Sequence, residues 1–225
     1  MCDFGRHGHD HHDHSDAAAP HFGFLVDVPE IRTLIAETRQ LTAEIADTAA
    51  RVEALKPAFS KLLAADGWLP EEYASPDLKS GMGGGIGQYA LYRAEDLCLF
   101  SLVVPAGAET PVHDHLAWGL IGVYRGRQDE TVYRRLDDGR VEARATLEVS
   151  KRQTMDTGEF YALLPPRDDI HFVKTVSEVP SISIHLLAND TACVWRHKYD
   201  PDAGTVTAFR SGYSNVKCKD ETVRS

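Results

Sequence analysis

No stretch of the 225-residue chain is long and apolar enough to cross a bilayer as a helix. The N-terminus also lacks the apolar core of a secretory signal, so a cytoplasmic location is expected. Basic residues are in short supply. Lys and Arg number 24 against 34 Asp and Glu, and the formal net charge of -10 argues against nucleic acid or an anionic membrane as partner. Cysteine is scarce too: Cys2, Cys98, Cys193 and Cys218 are scattered with no C-x-x-C pair, which speaks against a disulfide scaffold and leads us to expect reduced thiols in a cytosol. There is no internal repeat of solenoid type, and no domain for an organic cofactor or a reductase is expected.

What is present suits one core. At 43% hydrophobic content, a chain of this length can bury one substantial core, with a helical appendage. Residues 1–24 begin MCDFGRHGHDHHDHSDAAAP and carry no periodic apolar face, so a disordered tail is expected, with residues 25–225 as the folded domain. His7, His9, His11, His12 and His14 in that tail, interleaved with Asp10 and Asp13, read as a solvated segment that binds divalent ions weakly, with metal capture or delivery as the functional alternative. From about 27 to 67 the apolar residues keep helical spacing, with Asp27 as candidate cap and Pro57 predicted to start, end or kink a helix. After the Gly-rich segment 81–87 the pattern changes. From about 86 to 216, QYALYR, LCLFSLVV, WGLIGVYRG, ETVYRRL, ARATLEVS, EFYALLP, HFVKTV and SISIHLL alternate or run apolar between turn signals. Eight such strands predict a mainly β fold, a double-stranded jelly-roll barrel with the helices packed outside.

The richest stretch is GAETPVHDHLAWGLIGVYRG, Gly107 to Gly126. Its two histidines stand at i and i+2 in a run that reads as strand, so the pleat alone would send His113 and His115 to one face and Asp114 to the other. Two imidazoles on one face can share a metal, and His171 in LPPRDDIHFVKT is the best candidate for a third ligand. The alternative is a pair of partly buried core histidines. The spacing G-x5-H-x-H-x10-G resembles the first signature of the cupin superfamily, in which a glutamate ligand normally follows four residues after the second histidine. Here that residue is Gly119.

Together with DIHFVKT and PSISIHLL, the segment TPVHDHLAWGLIGVYRG is similar to the thiol dioxygenases of the cysteine dioxygenase family, and more closely to the bacterial 3-mercaptopropionate dioxygenase branch. The likeness extends through GWLPEEYASPD and from RHKYDPDAGT to SGYSN, about residues 27 to 216. The resemblance implies a ferrous ion held by His113, His115 and His171. It further implies a substrate site at Gln88, where the cysteine-selective enzymes carry an arginine, with Arg196 as carboxylate partner. Ser183 and His185 match the first two members of a Ser-x-His-x-Tyr network around the metal, but Leu187 replaces the tyrosine. One of Tyr89, Tyr124, Tyr161, Tyr199 or Tyr213 is expected to supply the missing phenol if any does. Gly119 sits where the animal enzymes place a cysteine that crosslinks to tyrosine, so no such crosslink forms. The implied reaction adds both atoms of dioxygen to the sulfur of a small thiol carboxylate, 3-mercaptopropionate-like or cysteine, giving a sulfinate. The partners are then the thiol and O2 alone. Alternatives are a cupin of other chemistry, a metal-dependent isomerase or carbon dioxygenase, and a non-catalytic cupin that senses a thiol or metal.

Overall fold

The structure, a computed structural model, describes residues 21–78 and 83–219. Its centre is two long apolar strands, β3 (Leu97–Val104) and β10 (Ser181–Ala188), paired antiparallel over their whole length and buried at all positions but Ala188. Such unbroken burial requires a covered surface on both sides of the sheet. Alternation along β3 divides the two: Leu97, Leu99 and Val103 face the helices, whereas Cys98, Phe100, Leu102 and Val104 face the barrel interior with Ile121, Leu163, Val173 and Leu187.

Around that pair the chain forms two six-stranded antiparallel sheets. The first has the order β1 (Gly23–Phe24), β2 (Gly87–Arg93), β3, β10, β5 (Gly119–Arg125), β8 (Phe160–Leu163). The second has the order β12 (Thr205–Phe209), β11 (Arg196–Asp200), β4 (Val112–His113), β9 (Ile170–Thr175), β6 (Arg127–Arg135), β7 (Leu147–Asp156). This is the expected double-stranded β-helix, mainly β with its helices outside. Helices α1 (Pro29–Glu44) and α2 (Thr48–Ala64) lay Ile31, Leu34, Ile35, Val52, Leu55, Phe59, Leu62 and Leu63 onto the outer side of the first sheet.

Several local expectations are corrected. Asp27 does not cap α1; Val28 holds that position without a side-chain bond, and the Asp27 carboxylate pairs with Arg32 instead. The helical segment breaks at Ile45–Asp47 rather than at Pro57, because Asp47 accepts a 2.8 Å bond from the Ala50 N–H and starts a new helix. Pro57 lies inside α2, where burial of Phe59, Leu62 and Leu63 carries the helix past the missing N–H. Residues 1–20 of the expected tail lie outside the described residues, and Gly23–Phe24 pair with Tyr92 and Arg93 as a short edge strand. The expectation of reduced thiols fails for two cysteines: Cys193 and Cys218 form a disulfide, Cα to Cα 5.4 Å. They meet because the C-terminal segment folds back along β2, where the Ser214 N–H donates to Gln88 O at 2.7 Å and Asn215 Nδ2 to Ala90 O at 2.9 Å. Cys98 is free and buried.

Candidate metal centre

His113 ends β4 and stands directly opposite His171 on β9, so two rings rise side by side from neighbouring strands of the second sheet. The pleat was expected to deliver His115 as well, and it does not reach that far. β4 is two residues long, and the chain turns at once, with Leu116 in the left-handed region at φ 54°. The Asp169 carboxylate holds this turn, accepting the His115 N–H at 2.9 Å and the Leu116 N–H at 3.2 Å. Asp114 points away from the rings, as expected, held there by bonds to β11. It is buried and accepts from the His197 backbone N–H at 2.8 Å, the His197 ring Nδ1 at 2.7 Å and the Tyr199 hydroxyl at 2.9 Å, which ties the histidine loop to β11.

The three rings are arranged with near threefold symmetry. Their centroids are 4.9, 5.0 and 4.9 Å apart, their planes are tilted by 59°, 56° and 58°, and one candidate ligand atom from each lies within 4.8 Å of the others. Each Nδ1 faces oxygen, which leaves Nε2 as the nitrogen for a metal. His113 Nδ1 donates to Pro111 O at 2.8 Å and His171 Nδ1 to Glu130 Oε1 at 2.6 Å. His115 Nδ1 lies 3.4 Å from Asp169 Oδ1, within range of attraction but without the alignment of a hydrogen bond. Burial pushes the His113 and His115 imidazoles well below their usual range, and mutual repulsion with the third ring and with Arg196 adds to this. Neutral imidazole is the form that ligates metal, so this set of buried nitrogens fits a cation such as ferrous iron.

No carboxylate or thiolate can join them from position 119. A Cβ there would sit 2.0 Å from the Leu186 carbonyl oxygen and 2.7 Å from Leu187 Cδ2. Position 119 thus adds no anion to the three candidate nitrogens, because β5 runs too close to β10 for any side chain at that point.

Ser183 and His185 do share the interior face of β10, with Ser183 Oγ 2.9 Å from His185 Nε2. The His185 ring stacks on Phe100 at 4.5 Å, lies 6.3 Å from the His115 ring, and leaves a buried Nδ1 without a protein partner. Leu187, two residues on, is fully buried among Cys98, Phe100, Ile121 and Leu163, so apolar volume stands where the resemblance implied a phenol. No other tyrosine replaces it. Tyr89 donates to Ser75 O, Tyr199 to Asp114 and Tyr213 to Asp190, while Tyr124 packs on Trp68 on the helix side of the first sheet. Tyr161 comes nearest, but its hydroxyl is 3.2 Å from His171 Nδ1, behind the ring rather than on the metal side.

Arg196 and Gln88 are both buried, at 3% and 2% exposure. The Arg196 guanidinium donates to Thr191 O at 3.3 Å, Asp114 O at 2.7 Å and Ser211 Oγ at 2.8 Å, and packs over Phe209. Three of its five N–H groups are thus used, none on a carboxylate. Desolvation lowers its pKa to about 10, so it stays charged at neutral pH. Gln88 shares the cross-strand row of Leu102 and Ser183 on the first sheet, and its amide Nε2 has no protein partner. No hydrogen bond brings Gln88 together with the histidines. Beside the triad a cavity of about 10 Å³, room for one water, is lined by His113, His171, Ser183 and His185 among apolar side chains.

Glu130 and Asp169, which support His171 and His115, were not anticipated. For Glu130 a signal existed: period-two alternation in RQDETVYRR puts Gln128 and Glu130 on the same face as Val132, hence inward. Desolvation raises its carboxyl pKa, yet hydrogen bonds from His171, Tyr161 and Gln153 prevail and hold it below the usual range.

No protein-family model matches the chain. Solved structures with a similar path include a conserved Klebsiella pneumoniae protein with a double-stranded β-helix domain, 12% identical over 56% of this chain and 86% of that one, TM-score 0.41. The cupin domain of Schizosaccharomyces pombe Cnp3 is 19% identical over 46% of this chain at TM-score 0.34, and the match spans 64% of that domain. An oxalate oxidase in complex with glycolate is 16% identical over 56% of this chain and 62% of that one, TM-score 0.38.

Proposed function

We propose that the chain is a non-haem ferrous thiol dioxygenase that adds both atoms of O2 to the sulfur of a small thiol carboxylate, releasing a sulfinate. The observation that carries this reading is a buried set of three nitrogen ligands with no anionic ligand among them, beside a buried His185 whose Nδ1 has no protein partner. His113, His115 and His171 would hold the iron, and the bound iron would favour the thiolate form of the substrate and activate dioxygen. The Arg196 guanidinium, positive and free of carboxylate partners, suits the substrate carboxylate. A Ser183 hydroxyl that donates to His185 Nε2 leaves the His185 proton on Nδ1, the unpartnered nitrogen, as a donor inside the barrel. Phe100, Ile121, Leu163 and Leu187 exclude water from the same space.

Gln88 in place of a second guanidinium favours 3-mercaptopropionate over L-cysteine. Leu187 is the feature that favours a second reading, a cupin dioxygenase acting on carbon, since no phenol assists at sulfur. The test is oxygen uptake by the iron-loaded protein on a panel of thiols and on thiol-free acids. Uptake with 3-mercaptopropionate exceeding that with cysteine, with one sulfinate per O2, is the expected result. An iron-replete protein that consumes no oxygen with any thiol refutes the proposal.

A further inference from the structure

The inner wall of the barrel carries a carboxylate that the proposed reaction does not use. Glu130 is buried, its side chain 1% exposed, on the inward face of β6. Its Oε1 accepts the His171 Nδ1–H at 2.6 Å, and its Oε2 is held by Gln153 Nε2. The Tyr161 hydroxyl closes the same cluster, 3.2 Å from His171 Nδ1. The β6–β9 ladder sets the distance, because Val132 stands opposite His171 and Glu130 opposite Val173, one step along the inward face.

The other two ligands have no equivalent. His113 leans on a neutral carbonyl, and the carboxylate near His115 is committed to two backbone N–H groups. Burying a lone carboxylate inside a barrel costs several kcal/mol unless opposite charge offsets it. His171 alone carries no charge while it is neutral, and among the described residues the Glu130 carboxylate has no Lys or Arg ion pair. Hydrogen bonds from His171 and Gln153 hold the carboxylate, and a cation at the three histidines would add the positive charge that neither supplies. Position 119, where a side-chain anion would touch the metal directly, is closed by the β10 backbone.

We propose that Glu130 is the positioning residue of this centre, fixing the ring of His171 and supplying through it the negative charge that the ligand set lacks. The proposal rests on the three-histidine metal reading but not on the thiol chemistry. A carboxylate behind a ligating imidazole makes that nitrogen a stronger donor, and loss of such a partner typically weakens metal binding 10- to 100-fold.

The experiment measures ferrous ion affinity anaerobically, by chelator competition, in the wild type, Glu130→Gln and Gln153→Ala, with no thiol present. Glutamine keeps an acceptor for His171 while removing the charge. The expected result is a 10- to 100-fold weaker Kd in Glu130→Gln, a smaller loss in Gln153→Ala, and a ferric/ferrous potential that rises in Glu130→Gln because the anion favouring ferric iron is gone. A role in packing alone would lower the melting temperature of the metal-free variant and leave the potential unmoved. Affinity within twofold of wild type, or an unchanged potential, overturns the proposal. Should Glu130→Gln fail to fold, Gln153→Ala decides by affinity alone: a loss of about threefold or more supports the proposal and affinity within twofold of wild type overturns it. A wild type that binds no iron sinks the metal reading itself, a distinct failure.

Discussion

Replacing Gly119 by alanine is the sharpest test of why this centre has only three ligands. The added Cβ would meet the Leu186 carbonyl oxygen at 2.0 Å, and real Cβ atoms essentially never approach closer than 3.0 Å. The obstacle is backbone in the middle of a sheet, so β5 and β10 must part by about 1 Å near Leu187↔Gly119. Antiparallel bonds near 2.9 Å, stretched that far, pass the limit of a hydrogen bond, and the Ala188 N–H bond to Trp118 O at 2.8 Å lies next to the opening. Two or three buried bonds lost or weakened at roughly 1.5 kcal/mol each give a destabilisation of about 3–5 kcal/mol. For a chain of this size that lowers the melting temperature by about 6–20 °C. Differential scanning calorimetry of the metal-free Gly119→Ala protein measures it. A melting temperature within 2 °C of the parent, with the centre still binding iron, would show that the strand spacing does not exclude a side chain, and the account of the missing ligand would fall.

Three further outcomes are expected. In the metal-free protein, burial keeps His113, His115 and His185 from taking protons that the unfolded chain accepts below about pH 6.5. Stability is therefore full above that pH and falls below it, by at most about 4 kcal/mol per pH unit for three groups; urea unfolding at pH 7.5 and 5.5 reads the slope, and equal stabilities refute it. Leu187→Tyr forces a larger, polar ring into a fully buried apolar slot, so stability drops by about 1–3 kcal/mol while iron is retained and thiol turnover changes several-fold; unaltered turnover would remove Leu187 from the site. Cys193→Ser opens a 25-residue separation and should cost about 3–4 kcal/mol by loop entropy, a loss that dithiothreitol reproduces in the parent. Thiol counting on the denatured, unreduced protein that finds Cys193 and Cys218 both reactive would contradict the pairing.

The strands with unbroken apolar runs were legible: LCLFSLVV is β3 from end to end, because a strand covered on both faces needs no polar positions. The three histidines could be chosen from residue type and spacing. Their geometry could not, since what places His115 is a turn held by Asp169, 54 residues away, and no local pattern encodes that bond. β11 and β12 escaped notice because RHKYD and TVTAF are short, mixed in polarity and without a regular inward–outward alternation of burial. Cys193 and Cys218 were misread because their proximity depends on the return of the C-terminal segment along β2, a contact across some 125 residues.

Asp114 also bears on when the centre can exist during synthesis of the chain. Its partners at residues 197 and 199 lie 83 and 85 positions downstream, and Arg196 Nη1 reaches its carbonyl from the same strand. A ribosome adding roughly 5–20 residues per second leaves the His113–His115 loop without this buttress for about 4–17 s after it is made. The first two candidate ligands emerge long before anything holds them in place, and between the third, on β9, and the buttress on β11 lies a single strand. A nascent chain stalled before residue 196 would therefore display His113 and His115 on a loop without this buttress, and any metal taken up there should be held loosely.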